Sequence, residues 1–155
     1  MQGPVLGSQT GASIPAGYVG EVLSANDSVY QSTTSGAYNT LSLALTPGVW
    51  DVSGSCGWLR NGATISQSYW IASITNQNSN PSDWIINQTI GTTSFNELAW
   101  TALSRVTRVR WDGVTNITEG STNTSSNLVY TRCYNSIFTG GPVLVIRTIR
   151  AVRIN

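Results

Sequence analysis

An all-β fold of antiparallel strands is what this chain of 155 residues predicts, and three observations carry the prediction. Apolar and small polar side chains alternate through LSLALTPGVWDVSGSCGW, residues 41 to 58: Leu41, Leu43 and Leu45 share one face, and Trp50, Val52, Gly54, Cys56 and Trp58 resume the pattern after Pro47-Gly48. Turn chemistry recurs at short intervals from Tyr18 onward, as it does in a sandwich or barrel. No segment keeps a helical period over more than about ten residues.

Taken in order, residues 1 to 16 hold Gly3, Pro4, Gly7, Gly11 and Pro15 among small polar residues and read as a flexible arm or linker. Residues 17 to 155 then suit one domain, and a chain of this length buries about 70% of the surface its unfolded form exposes. Strands are expected over 18 to 24, 37 to 46, 49 to 60, 63 to 75, 84 to 90, 97 to 111, 114 to 119, 127 to 138 and 143 to 154. Pro47 and Gly48 supply the fixed φ and the positive φ of a type II turn, which predicts a hairpin between the strands on either side. Asn61-Gly62 and Asp112-Gly113 accept the positive φ values of type I′ turns and predict two further hairpins. Thr139-Gly140-Gly141-Pro142 turns the chain into its last strand, with Pro142, which cannot donate to a ladder, at the first position. The longest polar loop is TNQNSNPSD, residues 75 to 83. Neither an internal repeat nor the heptad pattern of a stalk is present.

Charged residues make up only 10% of the chain, against about 25% in ordinary soluble domains. All eight basic residues are Arg. The surface must therefore be built from Ser, Thr, Asn, Gln and Gly, as on extracellular and virion-exposed β-proteins. A net charge of +1 gives no long-range attraction for nucleic acid or anionic lipid. No stretch approaches the roughly 18 apolar residues of a membrane span. The N-terminus lacks the charged start and apolar core of a secretory signal, which predicts synthesis in a cytosol. Cys56 and Cys133 fall on apolar strand faces and read as buried free thiols rather than a disulfide. The sequons at Asn26, Asn87, Asn116 and Asn123 read as unglycosylated.

The run from Leu43 to Gly54, the closing strand VLVIRTIRAVRIN (143 to 155) and, more weakly, GYVGEVLSA (17 to 25) together resemble the C-terminal knob of bacteriophage tail needles and tail fibres. The blocks bracket residues 17 to 155, while residues 61 to 125 align with nothing in that family. The resemblance implies a tumour-necrosis-factor-like (TNF-like) jelly roll, assembled as a homotrimer, that contacts the host surface or seals a tail tip. Such knobs normally hang on a long shaft. Here only a short lead precedes the domain, so either the chain belongs to a longer protein or it docks on other virion proteins through its arm.

Catalysis finds little support. Without His or Lys, the commonest general base and the commonest amine nucleophile are missing. Of the seven acids, Asp112 reads as a turn residue and Asp51 as a strand residue on the polar face; Asp83 with Glu97 is the one carboxylate pair suited to glycoside hydrolysis. Cys and His are too few for a metal site, and no cofactor is called for. Binding is better supported. Trp84 adjoins Asn76, Gln77, Asn78, Asn80 and Asp83, an aromatic ring beside planar hydrogen-bonding groups, as in glycan sites; alternatively Trp84 starts a strand and packs inward. The other tryptophans, at 50, 58, 70, 100 and 111, read as core or subunit interface. In the last strand Arg150 shares a face with Leu144, Ile146, Val152 and Ile154. If that face is buried, Arg150 goes with it and meets its copies at a trimer axis; otherwise it lies at a rim with its head in water.

The expectation is thus a non-enzymatic virion protein, made in the host cytoplasm and placed at the tail tip or on the capsid surface. It would be a trimeric knob whose partners are its own copies, other virion proteins and a host surface glycan, with Trp84, Asn78, Asn80 and Asp83 as the glycan residues. The alternative is a capsid-decorating or cement protein anchored through its arm.

Overall fold

The structure, a computed structural model, describes residues 18–31, 38–60, 70–78, 89–91, 99–135 and 143–155. The described residues form strands β1 (Val22–Gln31), β2 (Tyr38–Ala44), β3 (Gly48–Arg60), β4 (Trp70–Thr75), β5 (Thr89–Gly91), β6 (Ala99–Leu103), β7 (Thr107–Trp111), β8 (Asn116–Thr118), β9 (Leu128–Asn135) and β10 (Val143–Arg153). They make two antiparallel sheets and no helix. The first runs β1-β10-β3-β7-β8, with β6 also paired to β3, and the second runs β2-β9-β4-β5. Apolar residues of both sheets form the core between them, so the all-β antiparallel expectation holds.

Three local expectations are corrected. Residues 41 to 58 do not form a hairpin: β2 and β3 lie in different sheets, and Pro47-Gly48 is where the chain crosses from one to the other. Gly48 has φ 157°, not the value a type II turn requires. Strand β1 starts at Val22, where a strand over 18 to 24 was expected, and it runs on through Asn26, Asp27 and Ser28. The span 97 to 111 is not one strand. Leu103 pairs with Ser55 and Thr107 with Val52, so three residues on one side oppose Ser53 and Gly54 on the other. That extra residue is a β-bulge, fastened by the Ser104 amide to the Gly54 carbonyl at 2.9 Å and by the Gly54 amide to Ser104 Oγ at 2.8 Å. Its effect is a change of face: Leu103 points outward and Thr107 inward, although both are odd-numbered.

Asp112-Gly113 does join neighbouring antiparallel strands, β7 and β8. Gly113 takes φ 98°, and the Asp112 carboxylate accepts the amides of Thr115 at 2.7 Å and Val114 at 2.9 Å. The Asn61-Gly62 and Thr139 to Pro142 turns, and the arm over 1 to 16, lie outside the described residues.

The core divides into two apolar clusters, one around Cys56, Trp58, Cys133 and Val145, the other around Trp50, Val52, Ile74, Val109 and Ile149. Between them sits a polar layer. Gly54 faces Thr131, whose hydroxyl donates to the Thr148 carbonyl at 2.8 Å; a Cβ on Gly54 would lie 2.1 Å from that hydroxyl. Arg147 crosses the same level, its Nε donating to Asp27 Oδ1 at 2.7 Å and its Nη1 to the Thr40 carbonyl of the opposite sheet at 2.7 Å.

Cys56 of β3 and Cys133 of β9 are fully buried, as expected, but they are bonded, which corrects the reading of free thiols. The two positions face each other across the sandwich with Cα atoms 5.5 Å apart, within disulfide range. The bond therefore ties one sheet to the other.

The two faces of β10 are also reversed from the expectation that buries Arg150. The core face carries Val143, Val145, Ile149 and Ala151, and with them Arg147 and Arg153. Arg153 Nη1 lies 3.5 Å from Glu21 Oε2 and donates to Thr46 Oγ1 at 3.1 Å; Nη2 donates to the Pro47 carbonyl, and the guanidinium sits 5.5 Å from the Trp50 ring centroid. Glu21, just before β1, and Asp27 on β1 lie opposite the two inward arginines and decide which face goes inward.

Candidate functional site

Of the residues expected to bind glycan, Asn78 is exposed and its Oδ1 accepts the Thr40 hydroxyl at 2.7 Å. Trp84, Asn80 and Asp83 lie outside the described residues, as does the Asp83–Glu97 pair. Asn78 belongs to a segment that folds back over the second sheet, where Arg132 Nη2 also donates to the Gln77 carbonyl at 2.9 Å. The outward side chains Ile71, Ser73, Thr75 and Arg132 are all buried. Asn76 pins the same segment from inside the fold, donating to the carbonyls of Thr122 at 3.0 Å and Asn116 at 3.3 Å.

The outer face of the first sheet differs. Eight large hydrophobic residues are exposed among the described residues, and six of them, Val22, Tyr30, Leu103, Val106, Ile117 and Ile146, stand on this face. Tyr30 is 66% exposed and pairs across β10 with Leu144; Ile146 sits beside Gly57, which leaves it uncovered. Arg150 emerges in the middle of the face, between Ser24 and Ser53, and is exposed. It borders a 330 Å³ depression beside the bulge, together with Ser104 and Leu103.

A larger depression of 520 Å³ occupies the β7–β8 corner of the same face. Its walls are Asp51, Val106, Arg108, Arg110, Ile117 and Glu119. Strand pairing places these side chains together: Asp51 opposes Arg108, Arg110 opposes Ile117, and the Glu119 amide donates to the Arg108 carbonyl at 3.0 Å. Arg108 grips Asp51 with two bonds, Nε to Oδ1 at 2.9 Å and Nη2 to Oδ2 at 3.3 Å. Sequence reasoning passed over this group because each residue reads singly as a solvated strand position. The signal was the alternation Arg108-x-Arg110 facing Asp51, which becomes visible only once β3 and β7 are known to pair. Asp112, at the hairpin tip, has its carboxyl held below the usual carboxylate range, first by the Thr115 amide, then by that of Val114, with Arg110 contributing. Among the described residues no group of three His, Cys, Asp or Glu side chains could hold a metal ion.

No protein-family model matches the chain, and no curated protein matches it.

Proposed function

We propose that this chain is a virion structural protein: a jelly-roll knob that assembles as a homotrimer through the β1, β10 and β6 part of the outer face of its first sheet, leaving the β7–β8 corner open, and attaches the particle to a host surface without catalysis. The observation that carries the reading is the contrast between the two outer faces. Residues 77 and 78 lie against part of one, bonded to Thr40 and Arg132, while among the described residues the other displays Val22, Tyr30, Leu103 and Ile146 exposed along β1, β10 and β6. A neutral chain of net charge +1 has little repulsion to keep such a face from self-association. Three copies would bury Tyr30, Ile146 and Leu103 and bring Arg150 toward the shared axis.

The strand order supports a jelly roll. Successive strands β1, β2, β3 and β4 alternate between the sheets, and so do β8, β9 and β10, which is how a Greek-key sandwich wraps. The inter-sheet disulfide suits a protein that works outside a reducing compartment. The resemblance of residues 43 to 54 and 143 to 155 to tail knobs supplies the virion assignment, and the polar surface suits contact with a host glycan.

Light scattering tests the assembly: a mass of about 50 kDa, three times the 16.6 kDa chain, is expected, and Ile146→Arg should reduce it to the single chain. A monomer at micromolar concentration overturns the trimer. Immunogold labelling of particles then separates tail tip from capsid surface, and a label confined to capsids favours the decorating role.

A further inference from the structure

We infer that the depression at the β7–β8 corner is a binding site for a neutral saccharide. The inference rests on the reading of the chain as a surface-attachment module and adds the chemical class of the ligand and its place.

Two guanidinium groups, Arg108 and Arg110, face two carboxylates, Asp51 and Glu119, so the walls carry no net charge. A phosphate, a sulfate or a metal cation would meet as much repulsion as attraction there. A polyol meets neither. Vicinal hydroxyls each donate one hydrogen bond and accept another, and alternating guanidinium and carboxylate groups supply the matching acceptors and donors. The Arg108–Asp51 pair makes two bonds, and Arg108 keeps donors and Asp51 keeps lone pairs beyond those two. Val106 at 63% and Ile117 at 40% exposure flank the charged groups with aliphatic surface, the counterpart of the C–H face of a pyranose ring. At 520 Å³ the space lies within the range of small-ligand pockets, about 300–1,000 Å³. The backbone positions are preset, because three hydrogen-bonded strands, β3, β7 and β8, carry Asp51, Arg108, Arg110 and Ile117, Glu119 follows β8 directly, and the bulge sets Val106 beside them. The site is also distinct from Asn78, which bonds to Thr40 of the second sheet.

The test is a heteronuclear NMR titration of the whole protein with neutral methyl hexopyranosides, with N-acetylneuraminic acid and sulfate as anionic arms. A neutral glycoside at millimolar concentration should shift the amides of residues 106 to 119 and of Asp51. Arg110→Ala and Glu119→Gln, both exposed positions, should each weaken binding about tenfold or more, the loss expected for a hydrogen bond to a charged group, with the melting temperature unchanged. Absence of shifts, shifts centred elsewhere, binding that survives both substitutions, or anionic probes binding as tightly as the neutral glycosides each overturn the inference. Mass and cell binding are measured on the same samples. A trimer that adheres to cells yet ignores every glycoside overturns this site alone, whereas a monomer that binds glycoside overturns the assembly and leaves the site standing.

Discussion

Replacing Arg153 by Met tests whether the largely buried guanidinium holds β10 to Glu21 and to the crossing at Thr46 and Pro47. The substitution keeps an aliphatic stem beside Trp50 and removes the ion pair with Glu21, the bonds to Thr46 and Pro47, and the cation–π contact. Side-chain exposure is 12% for Arg153 and 5% for Glu21, so Glu21 would be left buried without this cation. Breaking a buried pair by removing one partner costs about 3–5 kcal/mol. For a domain of this size that corresponds to a fall of about 10 °C in melting temperature. Arg108→Met is the internal control: its side chain is 59% exposed, and such a surface pair is worth about 0–1 kcal/mol. Urea unfolding followed by tryptophan fluorescence, at one fixed protein concentration because assembly shifts apparent stability, measures both. Adding Glu21→Gln to Arg153→Met should recover part of the loss, since much of it is the stranded carboxylate. If Arg153→Met costs no more than Arg108→Met, the guanidinium is solvated in the folded protein and the reasoning fails.

Gly54→Ala should destabilise by about 1–3 kcal/mol, because its Cβ would lie 2.1 Å from Thr131 Oγ1; Thr131→Ala in the same chain should recover part of this in thermal unfolding. Cys133→Ala should cost about 4 kcal/mol, given a loop of 77 residues, and thiol titration of the native protein should find no free cysteine. The Asp112 carboxyl, lowered by the Thr115 and Val114 amides, should titrate below an unfolded aspartate by NMR. The sign follows: its contribution to stability is complete above the unfolded pKa and fades as pH falls through the folded value, and Asp112→Asn should abolish that part of the acid dependence.

Much of the core was legible because period two is a strong signal. Trp50, Val52, Cys56 and Trp58 all sit at 0% exposure on one face of β3, as their spacing predicts. Connections were less legible. Pro47-Gly48 looks like a hairpin turn locally, but which sheet a strand joins depends on residues a hundred positions away, such as the β10 ladder that claims β3. Strand β1 was cut short because Asn26, Asp27 and Ser28 resemble breakers; in place, Asn26 and Ser28 face water and Asp27 meets Arg147. The bulge at Ser104 carries no local mark at all. Both the corner depression and the apolar outer face require knowing which strands are neighbours.

The closing strand ties these observations together. Both faces of β10 are apolar enough to be a core face, Val143, Val145, Ile149 and Ala151 on one and Leu144, Ile146, Val152 and Ile154 on the other, so hydrophobicity alone cannot set its register. Charge can. Glu21 and Asp27 are six residues apart, as are Arg153 and Arg147, and in an antiparallel pair the two acids fall opposite the two arginines in a single register. A slip by one residue would turn Arg150 inward, opposite Leu23 or Ala25 on β1 and Val52 or Gly54 on β3 with no carboxylate, a cost of several kcal/mol for an unpaired buried charge. With its parity fixed in this way, β10 presents its second apolar row outward. Strands apolar on both faces belong to sheets covered on both sides, and in the proposed trimer the neighbouring copies supply that second cover.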